Sequence, residues 1–205
     1  AGGGWQGAGS LSHAKNVTME QGAKIDASAK QDGGAGGVVA LWSDGETKFA
    51  GEIVARGKGA GAGGSIETSG PRLTVEGLAS AASDSGRAGK WLLDPANVFI
   101  EADSVTPAQA VSGGTNTYTA DDTKIHASQI ESVLNTGTDV EIVTGSPMSG
   151  PEGNITVNAP IHKTAGSDAK LTLKAWHNIV VNQDIASTSG KLGFDFLSAS
   201  DDKNG

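Results

Sequence analysis

The chain contains no cysteine, and this absence removes several kinds of chemistry at once. Disulfide bonds, thiolate zinc sites, iron–sulfur clusters and cysteine nucleophiles all need a thiol group. The absence does not place the chain in the cytosol, because exported bacterial proteins can also lack cysteine.

Positive charge is scarce as well. The 205 residues carry 15 lysines and arginines against 23 aspartates and glutamates, which gives a formal net charge of -8. The three arginines, Arg56, Arg72 and Arg87, are well separated in the sequence. Binding to duplex nucleic acid or to an anionic membrane depends on a basic surface that neutralises phosphates. The composition therefore predicts neither as a partner.

Long hydrophobic runs are missing too. The longest uninterrupted apolar run, residues 38–42, has about five residues, whereas a membrane-spanning helix needs about 20. We therefore expect no membrane insertion. The first residues contain no charged segment followed by an apolar one, so no export signal is expected in this sequence. We interpret residues 1–205 as a single segment of a longer chain.

Glycine, by contrast, is abundant at 31 of 205 residues, and the apolar residues form short alternating runs, which indicate strands rather than disorder. The C-terminal half repeats itself at a shift of 24 residues: Asn-Ile-Thr-Val-Asn at 154–158 returns as Asn-Ile-Val-Val-Asn at 178–182. A second strand type at 170–174 returns at 191–195. Two strand types therefore alternate along this half of the chain.

The spacing of the strands favours one architecture. Short strands with one apolar face fit a sandwich, a barrel or a solenoid. Equivalent strands here lie 21 to 27 residues apart, which suits one coil of a parallel β-helix better than consecutive hairpins. Inward residues of successive coils would then stack about 4.8 Å apart. We expect Ile155 beneath Ile179 and Val157 beneath Val181, with Thr156 on the outer face.

One segment breaks this pattern. Ser-Gln-Ile-Glu at 128–131 fits a capping box, and Gly137 can end the helix. Three apolar residues share one helical face: Ile130, Val133 and Leu134. The pattern predicts a short helix over 128–135, packed on the solenoid wall. The polar stretch 103–123 shows no periodicity and is predicted to be an excursion from the coils.

Several motifs point to a known family. Residues 33–45 read Gly-Gly-Ala-Gly-Gly-Val-Val-Ala-Leu-Trp-Ser-Asp-Gly, and residues 90–98 read Lys-Trp-Leu-Leu-Asp-Pro-Ala-Asn-Val. With the Asn-Ile-x-Val-Asn coils, these motifs resemble the filamentous-haemagglutinin-type exoproteins of bacterial two-partner secretion. The similarity covers most of residues 20–196. It is closest to the high-molecular-weight adhesins and the haem–haemopexin utilisation exoproteins.

The resemblance implies an all-β fold, a right-handed parallel β-helix, and a protein secreted or displayed at the bacterial cell surface. Export would use an outer-membrane partner pore, which recognises a secretion domain that is not in this piece. We expect a monomeric, non-enzymatic adhesin segment that attaches to a host cell-surface protein or glycan, a virulence function. The alternatives are a haemopexin- or haem-acquisition exoprotein, the shaft of a contact-dependent toxin, and a β-helix carbohydrate-active enzyme.

No motif assigns a catalytic, cofactor-binding or metal-ligating residue, and no cofactor is expected. A β-helix carbohydrate enzyme would need carboxylates that converge on one outer face. The outward candidates in the predicted strands are Asp26, Glu52, Glu67, Glu76, Glu101 and Glu141. We expect Asp94, which precedes a proline, to form a turn and cap its own backbone rather than to catalyse a reaction. The isolated histidines are interpreted as structural: His13, His126, His162 and His177.

Two further residue types allow a structural and a functional interpretation. Trp42, Trp91 and Trp176 each adjoin a predicted strand, where we expect inward or corner packing, with a sugar-stacking platform as the alternative. Asn16 and Asn154 begin Asn-x-Thr glycosylation sequons. We expect them to stack in asparagine ladders within the coils instead.

Overall fold

The computed structural model describes residues 4–10, 12–104, 122–145 and 153–198. Within these ranges the chain is built mostly from short strands, with one α-helix and a single 3₁₀ turn at Trp5–Gly7. The elements are β1 (Ala14–Met19), β2 (Lys24–Asp26), β3 (Val38–Phe49), β4 (Glu52–Val54), β5 (Ser65–Ser69), β6 (Arg72–Val75), β7 (Leu78–Ser80), β8 (Lys90–Asp94), β9 (Val98–Glu101), β10 (Thr123–His126), α1 (Ala127–Leu134), β11 (Asp139–Val143), β12 (Ile155–Val157), β13 (Ile161–Lys163), β14 (Ala169–Ala175), β15 (Ile179–Val181), β16 (Ile185–Ser187) and β17 (Leu192–Ser198).

The strands stack in parallel, each on its counterpart in the next coil. An eight-stranded sheet runs in the order β1-β3-β5-β8-β11-β14-β17, with β6 also paired to β3. The other sheets are β10-β9-β12-β15, β2-β4-β7 and β13-β16. Parallel neighbours separated by a whole coil are the arrangement of a β-solenoid. The predicted β-helix is confirmed, and the sandwich and the barrel are excluded.

The stacking register agrees with the sequence repeat. Ile155 pairs with Ile179 and Val157 with Val181 in parallel strands, as predicted. Ile155 and Val157 belong to the core that runs inside the coils, and both are fully buried. Thr156 alternates with these inward residues and therefore lies on the outer face, as predicted, but it is only 9% exposed, so this outer position is covered. A charge at position 156 would lose most of its hydration.

Trp91 is the largest fully buried side chain of the core. Its indole N–H donates a hydrogen bond of 3.0 Å to Thr68 Oγ1, and its ring meets Phe49 edge to face at 6.3 Å. The inward packing predicted for Trp91 is therefore confirmed. Trp42 and Trp176 are half-buried and lie at the surface of the coils.

Glycines at the corners allow successive coils to approach closely. A Cβ atom added at Gly63 would collide with the carbonyl oxygen of Ala81 in the next coil, and the amide nitrogen of Gly89 lies nearly as close. Backbone atoms cannot move aside as a flexible side chain can. The corner spacing at this position therefore requires glycine.

We expect Gly63→Ala to lower the free energy of unfolding by about 2 kcal/mol or more, because the methyl group forces neighbouring coils apart. Chemical denaturation would measure the loss. Gly145→Ala is the matched control, since among the described residues a Cβ there meets only Asp94 Oδ1, at an ordinary 3.9 Å. Equal effects of the two substitutions would contradict the close corner contact.

The predicted helix is present, and it spans Ala127–Leu134. Its apolar face is buried against the coils, as predicted: Ile130, Val133 and Leu134. The amide of Gly137, which has a φ of +79°, donates to the carbonyl of Leu134 and ends the helix.

The predicted capping box is wrong. The N-cap residue is His126, and it makes no side-chain capping hydrogen bond. Ser128 Oγ instead donates to Asp103 Oδ1 at 2.8 Å, and Glu131 Oε1 accepts the backbone N–H of His162 at 2.6 Å. Both side chains that the motif assigns to the helix end are used to attach the helix to the solenoid.

The excursion predicted over 103–123 lies mostly outside the described residues, since the description stops at 104 and resumes at 122. Its last residue, Thr123, begins β10 and pairs with Val98 of β9. The chain therefore rejoins the solenoid beside the strand that precedes the excursion.

Lys163 is buried inside a corner of the solenoid, where a lysine is unusual. Its Nζ donates to the carbonyl oxygens of Ala165 at 2.5 Å, Gly166 at 3.2 Å and Ser189 at 2.6 Å. Burial lowers the pKa of Lys163. Because Ser189 belongs to the following coil, this ammonium group holds two coils together.

Among the described residues, no helix is both long and apolar enough to cross a membrane.

Candidate functional site

Two surface features could carry function, and they adjoin each other. The first is a group of carboxylates on the outside of the eight-stranded sheet, which we call the acidic face: Glu67, Asp94 and Glu141. The second is a cleft along one corner of the coils, which we call the corner groove. It is lined by segments around Gly63, Gly86, Gly137 and Ser167.

The acidic face follows from strand register. Glu67 of β5 pairs with Leu92 of β8, and Leu92 pairs in turn with Glu141 of β11, so the two glutamates flank one leucine in a row across the sheet. Asp94 lies two residues beyond Leu92 on the same face of β8, because side chains alternate along a strand. Three carboxylates from three successive strands thus share one surface.

Glu141 is held by two lysines. Lys90 Nζ lies 2.8 Å from Glu141 Oε2, and Lys174 Nζ lies 2.9 Å from Oε1. Burial by itself would raise the pKa of Glu141, but the hydrogen bonds from Lys90 and Lys174 outweigh it and lower the pKa. Glu141 is therefore ionised at neutral pH.

Glu67 is fully buried on this outer face, beneath the N-terminal 3₁₀ turn Trp5–Gly7. The backbone N–H of Gln6 donates to Glu67 Oε2 at 2.8 Å, and among the described residues Glu67 Oε1 has no hydrogen-bond partner. Burial raises the pKa of Glu67 in spite of the Gln6 hydrogen bond. The turn thus covers one end of the acidic face.

His13 fixes the turn in place. Its Nε2 lies 2.9 Å from the carbonyl oxygen of Gly7, its Nδ1 lies 3.1 Å from Asp44 Oδ1, and its ring packs against Trp42 at 4.3 Å. Trp42 therefore serves as a packing surface for the N-terminal segment. The ring of Trp5 in turn lies 5.5 Å from the Lys90 ammonium group, a cation–π contact.

The third carboxyl group of the acidic face, Asp94, has a pKa close to neutral pH. Burial, followed by the negative charges of Glu67 and Glu141, raises the pKa of Asp94 to about 7. A carboxyl group with such a pKa can donate or accept a proton at neutral pH. The expectation that Asp94 forms a turn and caps itself is wrong. Asp94 is the last residue of strand β8, and its neighbours across the coils set its chemistry.

The corner groove has a volume of about 840 Å³ and is open along one side. Four charged side chains line the groove: Asp84, Arg87, Lys90 and Asp139. Lys90 also joins the groove to the acidic face, because it contacts Glu141. Between these charges the walls are glycine, alanine and serine, so backbone polar groups contribute much of the lining. Such a surface can form hydrogen bonds to a ligand rich in hydroxyl groups.

The charged side chains of the groove differ in the hydrogen bonds and ion pairs that they make. Asp139 Oδ1 accepts the backbone N–H of Lys170 at 2.8 Å, and burial raises the pKa of Asp139. Asp84 Oδ1 lies 3.5 Å from Arg56 Nη2. The exposed guanidinium group of Arg87 makes no side-chain hydrogen bond or ion pair within the described part of the chain. Arg87 is therefore available for a ligand.

The structure brings together only two of the six carboxylates singled out from the sequence, Glu67 and Glu141. The others lie on different elements: Asp26 and Glu52 on the β2-β4-β7 sheet, Glu101 on β9, and Glu76 after β6. The sequence analysis did not identify Lys90 and Lys174 as partners of Glu141. Both lysines lie in predicted strands, so their outward positions could have been read from the alternation of side chains.

The asparagine ladder predicted for Asn154 is confirmed. Asn178 Nδ2 donates to Asn154 Oδ1 at 3.0 Å, one coil below. Asn16 Oδ1 instead accepts the backbone N–H of Glu46, so it bonds to the next coil without an asparagine partner. Among the described residues, no group of three or more histidines, aspartates and glutamates is arranged to hold a metal ion.

No protein-family model matches the chain, and no curated protein matches it either. Function therefore has to be inferred from the geometry and the sequence motifs.

Proposed function

We propose that this chain is an extracellular β-solenoid segment of a bacterial two-partner-secreted adhesin, which attaches to host cells or surfaces. The observation that carries the proposal is the unbroken parallel sheet from β1 to β17, in which every coil hydrogen-bonds to the next. Backbone ladders of this kind make a stiff rod that can present a binding surface away from the cell. The motifs of residues 33–45 and 90–98, which resemble those of the two-partner-secreted exoproteins, support the proposed family and route of export.

The ligand contact that we propose is the corner groove. It is the concave surface of about 840 Å³ described above, and its polar walls suit a host glycan or a polar loop of a host protein. Arg87 offers five N–H donors that no described side chain uses, and backbone groups of the glycine-rich corners add further donors and acceptors. Attachment would need no chemical step.

Ser85→Trp is expected to weaken attachment at least about tenfold, because Ser85 is exposed on the groove wall and an indole ring would fill the cleft. Binding to glycan arrays and to cultured host cells would measure the effect. Gln183→Trp is the matched control, since Gln183 is exposed in a turn outside the groove. An unmodified chain that bound neither glycans nor cells would contradict the adhesin proposal.

A second candidate function, carbohydrate cleavage, is favoured by one observation. Asp94, with a pKa of about 7, lies beside the ionised Glu141 on the same face, a pairing that can supply a general acid and a general base. Incubation with acidic and neutral polysaccharides, followed by an assay for new reducing or unsaturated ends, separates the candidates. Product formation that Asp94→Asn abolishes would favour the enzyme. Attachment without products would favour the adhesin.

A further inference from the structure

The acidic face contains one peptide bond of unusual chemistry, because Asp94 is followed directly by Pro95. This is the only Asp-Pro pair in the chain. A carboxyl oxygen of an aspartate can close a five-membered ring with the main-chain carbonyl carbon of the same residue, so the attacking group is always within reach. The proline nitrogen carries a ring carbon in place of a hydrogen, which makes it a better proton acceptor and leaving group than an ordinary peptide nitrogen.

The fold places a hydrogen-bond donor on the carbonyl group of this Asp-Pro bond. The backbone N–H of Gly70 donates to the carbonyl oxygen of Asp94 at 3.3 Å. A donor at this oxygen stabilises the negative charge that develops there when the carbonyl carbon is attacked. Beyond the bond, the amide of Ala96 donates to the carbonyl of Pro71, and its own carbonyl accepts the amide of Gly153. The chain is therefore held on both sides of the Asp-Pro bond.

The side chain of Asp94 is free to attack. Within the described part of the chain, no hydrogen bond reaches its carboxyl group, and the residue is only half-buried, so water can reach it. The charged groups around it are Glu67 on β5, Glu141 on β11, and the two lysines that pair with Glu141, Lys90 on β8 and Lys174 on β14. Burial and the two glutamates raise the pKa of Asp94 to about 7, so its carboxyl group still carries a proton at pH 6.

We propose that the chain cleaves itself at the bond between Asp94 and Pro95. An oxygen of the Asp94 carboxyl group attacks the main-chain carbonyl carbon of the same residue, and the carboxyl proton passes to the nitrogen of Pro95. The C–N bond breaks, proline leaves as a secondary amine, and Asp94 becomes a cyclic anhydride. Water then opens the anhydride to two carboxyl groups. The net reaction consumes one water molecule.

Cleavage separates residues 1–94 from residues 95–205 without dismantling the solenoid. Strand β8, before the cut, is hydrogen-bonded to β5 and β11, and strand β9, after it, is hydrogen-bonded to β10 and β12. The two pieces therefore stay together until the protein is denatured. This inference is independent of what the corner groove binds.

The experiment incubates the purified full chain at pH 6 and follows it by mass spectrometry under denaturing conditions. We expect two fragments, 1–94 and 95–205, whose masses together exceed that of the chain by one water molecule. The folded chain should be cleaved about tenfold or more faster than the chain kept unfolded in guanidinium chloride, because at pH 6 the carboxyl group of unfolded Asp94 has lost its proton. In the folded chain the rate should fall as the pH rises through about 7.

Two substitutions separate self-cleavage from other causes. Pro95→Ala keeps the Asp94 carboxyl group but restores an ordinary peptide nitrogen, so cleavage should slow by about tenfold or more. Asp94→Glu keeps a carboxyl group but requires a six-membered ring, and it should slow cleavage as well. Circular dichroism checks that both variants are folded. Hydroxylamine in the buffer should appear as a hydroxamate on residue 94 of the first fragment, since it opens the anhydride in place of water.

Three results would overturn the proposal. The first is a chain that stays intact over several weeks at pH 6, and the second is a chain that is cleaved no faster when folded than when unfolded. The third is cleavage of Pro95→Ala at the unmodified rate, which would assign the cut to a contaminating protease. Loss of attachment in Ser85→Trp affects none of these measurements, so self-cleavage and attachment can fail separately.

Discussion

Ile155→Asp is expected to cost about 4 kcal/mol or more of unfolding free energy, enough to unfold much of the solenoid. Ile155 is fully buried, with Val98 on one side and Ile179 on the other in the stacked sheet. An ionised carboxylate at this position would lose its hydration and gain no cation or hydrogen-bond donor. Equilibrium denaturation followed by circular dichroism would measure the loss.

The position within the stack sets the size of the effect. Ile179→Asp should cost less, because Ile179 of β15 is only half-buried. Ala186→Asp is the control, since Ala186 is exposed and alternates with the inward Ile185 and Ser187 of β16. We expect it to change stability by no more than about 0.5 kcal/mol. If Ala186→Asp destabilised the chain as much as Ile155→Asp, the assignment of inward and outward faces would be wrong.

The sequence predicted the fold well because stacked coils repeat a pattern. Residues that lie one above the other face the same surroundings, so Asn-Ile-x-Val-Asn at 154–158 returns 24 residues later at 178–182. The corner glycines and the apolar face of the helix follow equally from local chemistry. The capping box failed because Ser128 and Glu131 form stronger alternatives with Asp103 and His162, which no local rule contains.

The candidate site could be predicted only in part. The outward positions of Glu67 and Glu141 were predicted, since side chains alternate along a strand. The acidic face could not be predicted, because Leu92 and Glu141 are adjacent in the sheet but separated by the excursion and the helix in sequence. A repeat of constant length along the chain does not predict that Leu92 pairs with Glu141. The raised pKa of Asp94 depends on this register, because part of it comes from charges on β5 and β11.

The pH dependence of stability should reveal Asp94 directly. Its folded-state pKa of about 7 lies above the ordinary 3.8, so the folded state favours the protonated form. Stability from this group is fully present below about pH 4 and is lost as pH rises through 7. At about 1.4 kcal/mol per pKa unit, the loss between pH 5 and pH 8 is on the order of 2–4 kcal/mol. Glu67, whose pKa is also raised, adds a loss of the same sign.

Asp94→Asn is therefore expected to stabilise the chain by about 2–4 kcal/mol more at pH 8 than at pH 5, where the unfolded carboxyl group is already ionised and the folded one is still protonated. The amide has a similar shape but carries no charge, so it removes both the desolvation cost and the repulsion by Glu67 and Glu141. Denaturation midpoints at several pH values between 5 and 8 would measure the change. Asp184→Asn, which removes one exposed negative charge, is the control and should leave the slope as it is in the unmodified chain. An unchanged slope in Asp94→Asn would mean that the pKa of Asp94 is not raised into this range, and Asp94 would then not exchange a proton at neutral pH.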